Sequence, residues 1–344
     1  MNSATSSAPW SLRMAERPGS SPLRVALAVG VALAVVFIAA EAALGRLQLL
    51  ATDAPIAAEF QIALGLIALV AYMLGAFAGA VHSAERTLAE LEPAFSRAGE
   101  AQTTRGSVVG RANSARLRRA GAIGVCGGLL IPLAADLTIE TWFLWQLGPE
   151  AIVNRILLPP VGWLMCRFGT IVWAESQRLS RVGADALRID LLDLRPLAPL
   201  ASAGLRYALL SAGVVSIVLL GFRNTSAAPG LPFVVAGAGV ANVALSLAVL
   251  WLALRGAHEA IAREKAAADA SANAVIRAFS GARAKHAPGA LADALAWKRF
   301  VADAPDWPLD FPTLRRFVLP IALPLASLIG GAFVETLVSR VLSR

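Results

Sequence analysis

Seven separate stretches of this chain are apolar over the length that a helix needs to cross a lipid bilayer. One crossing takes about 20 mostly apolar residues. The stretches are 25–44, 61–81, 121–146, 151–174, 205–222, 231–254 and 317–338. Because the bilayer core offers no partner for an unpaired backbone amide, each stretch is expected to be an α-helix. The sequence therefore predicts an all-α fold, a polytopic transmembrane helix bundle of seven spans.

The first and last of these stretches leave alternatives open. Pro320 and Pro324 interrupt the last one, and proline removes a helical hydrogen bond, so the alternative is six full spans followed by a re-entrant or tilted segment. The N-terminus also resembles a signal peptide, with Ala40-Glu41-Ala42 as its cleavage site. Signal peptides have a short charged region before the apolar one. The polar segment 1–24 is long for that, and we favour a membrane span.

Composition excludes most soluble alternatives. Of the 344 residues, 57% are apolar and 16% are charged, whereas soluble domains average about 45–50% and 25%. A soluble enzyme, a secreted disulfide-rich domain and a disordered chain are therefore excluded. Cys126 and Cys166 both lie inside apolar stretches, where cysteine usually packs as a small apolar side chain. Neither a disulfide nor a metal site is predicted.

Basic residues predict the orientation of the bundle. With the N-terminus in the cytoplasm, the cytoplasmic segments hold 25 of the 31 lysines and arginines, and the outer segments hold four. Cytoplasmic loops of membrane proteins are enriched in these residues. The predicted parts are the polar N-terminus 1–24, a six-span bundle at 25–254 with cytoplasmic loops 82–120 and 175–206, a cytoplasmic helical segment 255–316, and the last span with a short tail at 317–344. This orientation also accounts for the net charge of +8, so no nucleic-acid partner is predicted.

A cytoplasmic helix is predicted to continue the sixth span through residues 255–280, with a second short helix at about 290–301. Apolar side chains recur on one face of the first helix, as in an amphipathic helix. They are Ile261, Ala268, Ala272, Val275, Ile276 and Phe279, which we call the apolar stripe. We expect the stripe to pack on other cytoplasmic helices, with the docking of a partner helix as the alternative. Shorter helical extensions are predicted at 82–92 and 175–190.

Five charged residues lie in the outer half of the predicted spans or at their outer ends. They are Glu41, Asp136, Glu140, Arg155 and Glu335. A charge at membrane depth costs at least about 2.5 kcal/mol, so such side chains should face the protein interior or a wet cavity. One interpretation is an acidic outer vestibule that binds a cation or a cationic solute. The favoured one is an ion pair of Asp136 and Glu140 with Arg155 that locks two helices, while Glu41 and Glu335 reach the membrane surface.

Two features of the fourth span bear on this site. Pro159-Pro160 is expected to break the helix just below Arg155, and the freed backbone groups would then need other partners. Arg167 lies nearer the cytoplasm and is expected to extend its guanidinium group to the inner membrane surface.

Two pairs of glycines, each spaced four residues apart, predict close contacts between helices of the bundle. They are Gly75 with Gly79 and Gly124 with Gly128. Small residues at this spacing allow helix backbones to approach closely. The pairs therefore indicate packing within the chain and no chemistry.

No pattern of a familiar catalytic or phosphate-binding site occurs in the sequence, and no cofactor is predicted. Asp303, Asp306 and Asp310 cluster before the last span and offer the oxygen ligands that a divalent cation uses. Trp307 and Phe311 lie among them, however, and aromatic residues of this kind anchor a chain at the membrane surface. We favour the surface anchor and predict no metal site.

Three segments of the C-terminal half resemble uncharacterised polytopic inner-membrane proteins of bacteria. The segments are LLDLRPLAPLASAGLR at 191–206, LRGAHEAIAREKAA at 254–267, and DWPLDFPTLRRF at 306–317 with the LPLASLIGGAFVETLV span that follows. The resemblance implies a bacterial inner-membrane location and a shared topology. It implies no functional residue.

The sequence supports two functional hypotheses. The first is a non-enzymatic inner-membrane protein whose cytoplasmic helices scaffold, sense or dock a partner, which would be a cytoplasmic protein or a second copy of the chain. Long inner and short outer segments favour it. The second is a small transporter or channel for a cation or cationic solute, which uses the outer-half charges and the broken fourth span. An intramembrane enzyme ranks third, because no catalytic motif supports it.

Overall fold

Helices form every regular element in the part of the chain that the computed structural model describes. This part comprises residues 22–91, 95, 114–138, 149–187, 189–221, 231–280 and 289–308. Its α-helices are α1 (Pro22–Ala43), α2 (Ala54–Leu91), α3 (Ser114–Thr138), α4 (Pro149–Arg181), α5 (Ala198–Gly221), α6 (Leu231–Ser280) and α7 (Ala290–Asp303). The predicted all-α class is confirmed for these residues.

Five helical segments of the described chain are long and apolar enough to cross a membrane. They are Leu23–Ala43, Ile56–Leu91, Ile152–Asp185, Arg195–Val218 and Val243–Phe279. They overlap the first, second, fourth, fifth and sixth predicted spans, the sixth over its second half only. The third predicted span, 121–146, begins within α3, whose side chains are described only as far as Leu130. The seventh, 317–338, lies outside the described residues.

Neighbouring helices along the chain run in alternating directions. Helix α2 packs against α1, α4 and α5, while α3 packs along α4 and α5 along α6. At one end of the α2–α5 pair, the Gln61 amide donates to the Leu220 carbonyl at 2.8 Å. At the other end, Arg206 donates to the Ser83 hydroxyl at 3.3 Å. These two contacts show that α2 and α5 are antiparallel.

Because successive helices alternate in direction, most arginines in the described part of the bundle lie on one side of it. The starts of α1, α3 and α5 and the ends of α2 and α4 lie there. We call it the basic side, and its arginines are Arg24, Arg86, Arg116, Arg118, Arg119, Arg178, Arg181, Arg195 and Arg206. The opposite side carries Arg46 and Arg155 in the described chain.

The core lies where α2, α4, α5 and α6 meet. Met73, Phe168, Tyr207 and Val249, one from each helix, belong to a single buried cluster. Burial of apolar side chains stabilises such a core by packing. Helix α1, in contrast, exposes apolar side chains along its length, among them Val31, Val35 and Val36. Surface of this kind suits lipid, whose acyl chains are as apolar as the side chains themselves.

Glycines bring α3 and α4 into backbone contact. A Cβ placed on Gly124 would overlap the carbonyl oxygen of Gly162, and one on Gly128 would lie 2.5 Å from the carbonyl oxygen of Leu158. Only glycine permits this separation, because any other residue would force the backbones apart. The predicted close approach through Gly124 and Gly128 is therefore confirmed.

The other glycine pair makes no such contact. A Cβ on Gly75 would lie 3.4 Å from the Cβ of Ala26 in α1, and one on Gly79 would meet nothing within 4 Å. The prediction of a close backbone approach is wrong here, because α1 meets Gly75 through a side chain.

Pro159 and Pro160 do not break α4, contrary to the prediction. The helix is continuous over its 33 residues. Each proline lacks the N–H that would donate to the carbonyl four residues earlier. Helices inside a bundle tolerate such prolines where neighbouring groups surround the site, and Gly128 of α3 lies directly against Pro159.

Three helices extend past the length that a bilayer requires. Helix α2 continues to Leu91 and α6 runs for 50 residues without interruption, as the sequence predicts. Helix α4 passes into a π-helical turn, Val182–Ala186, and the chain is extended at Leu187, which forms an isolated antiparallel bridge with Phe95. The extension predicted at 175–190 is therefore helical only as far as residue 186.

Candidate functional site

The second half of α6 and helix α7 form an antiparallel helical pair. We call residues 255–280 and 289–308 the hairpin. Val301 of α7 belongs to the same buried cluster as Ile261 of α6, and Trp297 packs against that cluster. Lys298 donates to the side-chain oxygen of Asn273 at 2.7 Å. Helix α6 is roughly 75 Å long at 1.5 Å per residue, more than twice the bilayer core of about 30 Å, so a large part of it lies outside the bilayer.

Polar and aromatic contacts close the base of the hairpin. The Lys265 ammonium lies 2.6 Å from Asp306 Oδ1 and also donates to the carbonyl of Ala304. Nδ1 of His258 lies 2.8 Å from the carbonyl oxygen of Asp306. The His258 ring stacks on Trp307 with the ring centroids 4.2 Å apart. We call these five residues the clasp, because they fasten the segment after α7 to α6.

Asp306 is engaged in this ion pair. The hydrogen bond and the positive charge of Lys265 lower the pKa of the Asp306 carboxyl below its ordinary value. Asp303 is exposed at the end of α7, and Asp310 lies outside the described residues. Within the described chain, no group of three or more His, Cys, Asp or Glu side chains could hold a metal ion.

Trp307 packs on the protein, which differs from the surface anchor that the sequence favours. The ring is half-buried against a cluster of α5 and α6 that includes Ala208 and Leu254. His258 covers one of its faces. The clasp therefore holds the end of the hairpin against the bundle.

The apolar stripe is covered in part. Ile261 and Ala272 are buried, and Ala268 packs against the central cluster, so this part of the stripe packs on neighbouring helices. Ile276 and Phe279 are half-buried. Val275 is 40% exposed, contrary to the expectation that the whole stripe packs, because it lies on the edge of the stripe away from these contacts.

Helix α7 exposes two leucines on one face. Leu291 and Leu295 are spaced four residues apart and therefore point in nearly the same direction. Leu295 is 51% exposed. The buried face of the helix is formed instead by Ala294 and Val301. We call Leu291 and Leu295 the exposed leucines.

Glu41 is buried, so the expectation that it reaches the membrane surface is wrong. Its exposed fraction is 1%. One helical turn earlier, the Phe37 ring packs against Phe60 of α2 in a tilted arrangement, with the ring centroids 5.1 Å apart. Val153 and Leu157 of α4 pack against the same cluster. Residues four apart share a helix face, so Glu41 lies on the face of α1 that meets α2 and α4.

Arg155 is the other predicted intramembrane charge whose side chain the structure describes, and it is half-buried. Beside it, the Asn154 amide donates to the carbonyl of Glu59 at 3.3 Å, which ties the start of α4 to α2. The predicted ion pair of Arg155 is not tested. Its proposed partners and the last predicted charge lie outside the described side chains, and they are Asp136, Glu140 and Glu335.

Arg167 does not extend to the membrane surface, contrary to the expectation. It is 8% exposed, and its guanidinium carbon lies 4.3 Å from the centroid of the Trp163 ring. Both side chains lie against Gly121 of α3. A cation over the face of an aromatic ring is stabilised electrostatically, and the missing side chain at Gly121 makes room for this pair between the helices.

Sequence reasoning missed a partly buried polar cluster on the basic side. The Tyr207 side chain is fully buried, and Glu175, Arg178 and Arg206 are close enough to act on it electrostatically. Glu175 and Arg178 form an ion pair of 3.5 Å. The cluster reaches α2 through Ser83, which accepts from Arg206. In the sequence, these polar residues lie within a few turns of the span ends that face the basic side. This position was the signal that could have predicted the cluster, because neighbouring helices bring those ends together.

No protein-family model matches this chain, and neither a curated protein nor a solved structure matches it. The resemblance of the C-terminal half to bacterial inner-membrane proteins stays a prediction.

Proposed function

We propose that this chain is a non-enzymatic multi-pass protein of the bacterial inner membrane that docks a cytoplasmic protein partner through its hairpin. One observation carries the proposal: Leu291 and Leu295 are exposed on a helix whose position the clasp fixes. The proposed partner contributes an apolar surface that covers the two leucines.

The distribution of arginines supports a cytoplasmic hairpin. Helix α6 packs parallel to α4, since Leu245 lies beside Gly169 and, further along both helices, Gly256 meets the carbonyl of Ser180. The hairpin therefore extends from the basic side of the bundle, where the positive-inside rule places the cytoplasm. We propose the same side for the N-terminus, with the third of seven spans on α3 and the last at 317–338.

Docking through the exposed leucines has a physical rationale. Removing apolar surface from water is favourable by about 25 cal/mol per Å², and two leucines on one face match the way in which helices recognise each other. A surface that is already fixed loses little conformational freedom on binding. The clasp supplies this rigidity, because it joins the segment after α7 to α6 at the base of the hairpin.

In-cell photo-crosslinking tests the proposal. A photoreactive residue is introduced at position 291 or 295, and matched controls carry it at Ala292 or Ala296, which are exposed on another face of α7. We expect a protein adduct of one defined mass from positions 291 and 295, and little from the controls. A second test places Leu295→Lys in the chain labelled at 291, and the adduct should be lost while membrane insertion is retained.

Two results would contradict docking. Adducts of equal yield at all four positions would indicate random collision, and adducts with lipid alone at 291 and 295 would show that α7 lies on the membrane surface. An adduct of twice the mass of the chain would identify the partner as a second copy.

The transporter hypothesis is the second candidate, and the burial of Glu41 favours it. A carboxyl that is 1% exposed at a junction of three helices is the kind of residue that marks an ion pathway in membrane proteins. The continuity of α4 through Pro159 and Pro160 counts against it, because the broken helix was its other support.

Melting temperatures in detergent separate the two candidates. For a transporter, a panel of cations should raise the melting temperature of the wild type, and Glu41→Gln or Asp136→Asn should abolish that rise. For a structural role, no cation should act. Arg155→Ala should then destabilise the protein more than the double variant Asp136→Asn/Arg155→Ala, which removes charges of both signs.

A further inference from the structure

A groove opens on the bundle surface over α4, between α3 and α6. Its floor is one face of α4, one wall is α3, and Leu245 of α6 closes the other side. Its volume is about 520 Å³. We call it the α3–α4 groove, and the lining residues that matter below are Arg116, Cys166, Gly169, Trp173 and Gln177.

The groove has the length and depth of one acyl chain in one leaflet. Cys166 and Gln177 are eleven residues apart on α4, which corresponds to roughly 16 Å along the helix. This is about half of the 30 Å bilayer core. Gln177 and Arg116 lie at the end toward the basic side, and Trp173, which is exposed, lies near it, as aromatic residues do at a membrane interface.

The floor of the groove offers an apolar surface with open space above it. A Cβ placed on Gly169 meets no heavy atom within 4 Å. The Thr170 hydroxyl donates to the carbonyl of Cys166 at 2.7 Å, so its hydrogen bond is made within the helix. A hydrocarbon chain could therefore lie on the floor while the Thr170 hydroxyl keeps its hydrogen-bond partner.

The basic end of the groove is positively charged. Arg116 lines its mouth, and Arg118 and Arg119 are exposed within the same turn of α3. Arg181 donates to the carbonyl of Gln177 at 3.4 Å, which brings a further guanidinium to this end. Guanidinium groups bind phosphate through charge-assisted hydrogen bonds, and basic residues beside the bilayer attract anionic lipids.

We propose that the α3–α4 groove binds an anionic phospholipid from the leaflet on the basic side, with an acyl chain over Gly169 and the phosphate at Arg116. The apolar floor, which is about as long as one leaflet is thick, matches the acyl chain. The positively charged mouth matches the phosphate. The site is separate from the hairpin, so it stands or fails independently of partner docking.

Lipid-dependent thermal stability tests the site. The purified chain in a neutral detergent is titrated with palmitoyl-oleoyl-phosphatidylglycerol or with the phosphatidylcholine of identical acyl chains. We expect both lipids to raise the melting temperature, with phosphatidylglycerol acting at a lower concentration. Arg116→Gln should raise the half-saturating concentration of phosphatidylglycerol about fivefold, the factor that corresponds to about 1 kcal/mol per basic residue at a membrane surface. It should raise that of phosphatidylcholine less, because the choline ammonium already offsets the charge of its phosphate.

Filling the groove provides the second arm of the test. Gly169→Leu places a side chain into the open space and should abolish the response to both lipids. The matched control is Gly127→Leu on α3, where a Cβ also meets nothing within 4 Å, and it should respond as the wild type does. The proposal is wrong if Gly169→Leu keeps the lipid response, if the two lipids act equally on the wild type, or if Gly169→Leu changes the oligomeric mass, which would assign the groove to a second copy of the chain.

Discussion

The ammonium group of Lys265 lies 2.6 Å from the carboxylate of Asp306, across 41 residues of the chain. The lysine side chain is 15% exposed, whereas that of the aspartate is 66% exposed. Lys265 also donates to the carbonyl of Ala304. The lysine is therefore the constrained member of the pair, and it holds the segment after α7 against α6 through two acceptors.

Replacing either member of this pair should loosen the base of the hairpin to different extents. Lys265→Met removes both contacts, whereas Asp306→Asn retains an acceptor for the lysine. Since one hydrogen bond contributes about 1 kcal/mol net, we expect protease cleavage near residue 305 to become about fivefold faster in Lys265→Met and to change less in Asp306→Asn. Equal rates in both variants and the wild type would show that the clasp does not hold this segment.

The ion pair also predicts a dependence on pH. Lys265 lowers the pKa of Asp306 in the folded protein, so the charged carboxylate stabilises the clasp above the ordinary pKa of an aspartate. The contribution falls as the pH drops through the lowered, folded-state value. The difference in melting temperature between wild type and Asp306→Asn should therefore be constant near pH 7 and shrink as the pH falls below the ordinary aspartate pKa of about 3.9. A difference that stays constant or grows as the pH falls from 5 to 2 would exclude the charge of Asp306 as its cause.

Variants within the apolar stripe should differ according to burial. Ile261→Ala removes a fully buried side chain and should destabilise the protein by about 2–5 kcal/mol. Val275→Ala, at an exposed position, should change stability by less than about 0.5 kcal/mol. Ile276→Asp and Phe279→Asp place a charge on half-buried positions and should increase proteolysis of 255–280. The measurement is thermal unfolding together with limited proteolysis, and an effect of Val275→Ala as large as that of Ile261→Ala would show that a partner or helix covers Val275.

Two glycines three residues apart on α3 provide a matched pair for helix packing. Gly124→Ala places a methyl group on the Gly162 carbonyl and should destabilise the bundle by about 1–3 kcal/mol through overpacking. Gly127→Ala meets open space and should be neutral or stabilising by up to about 1 kcal/mol, because alanine is the better helix former. Similar melting temperatures for the two variants would contradict the backbone contact of α3 with α4.

Much of the fold could be predicted from the sequence, because the length and hydropathy of a span are local properties. The same holds for the continuation of α6 to residue 280, where polar and apolar residues alternate at helical spacing. The continuity of α4 through Pro159-Pro160 could not be predicted, since it depends on which surface of α3 packs there. The sequence also could not distinguish Gly124, which packs closely against α4, from Gly79, which faces open space. Both glycines belong to pairs with the same spacing of four residues.

The charged residues were harder to place than the helices. Distance from a helix end suggests that Glu41 and Arg167 reach the membrane surface, yet both are buried. Burial of Glu41 follows from the contact of Phe37 with Phe60, and burial of Arg167 follows from the space at Gly121. These contacts join residues far apart in the sequence, and no local pattern reports them.

Accessibility of two introduced cysteines tests the central claim, which is that the hairpin faces the cytoplasm. In a background with Cys126→Ala and Cys166→Ala, Ala296→Cys, which lies outside the proposed docking face, reports on the hairpin and Thr52→Cys on the opposite side of the bundle. The account predicts that a membrane-impermeant maleimide labels position 52 in intact spheroplasts and labels position 296 only after the membrane is permeabilised. Labelling of position 296 in intact spheroplasts would contradict the account.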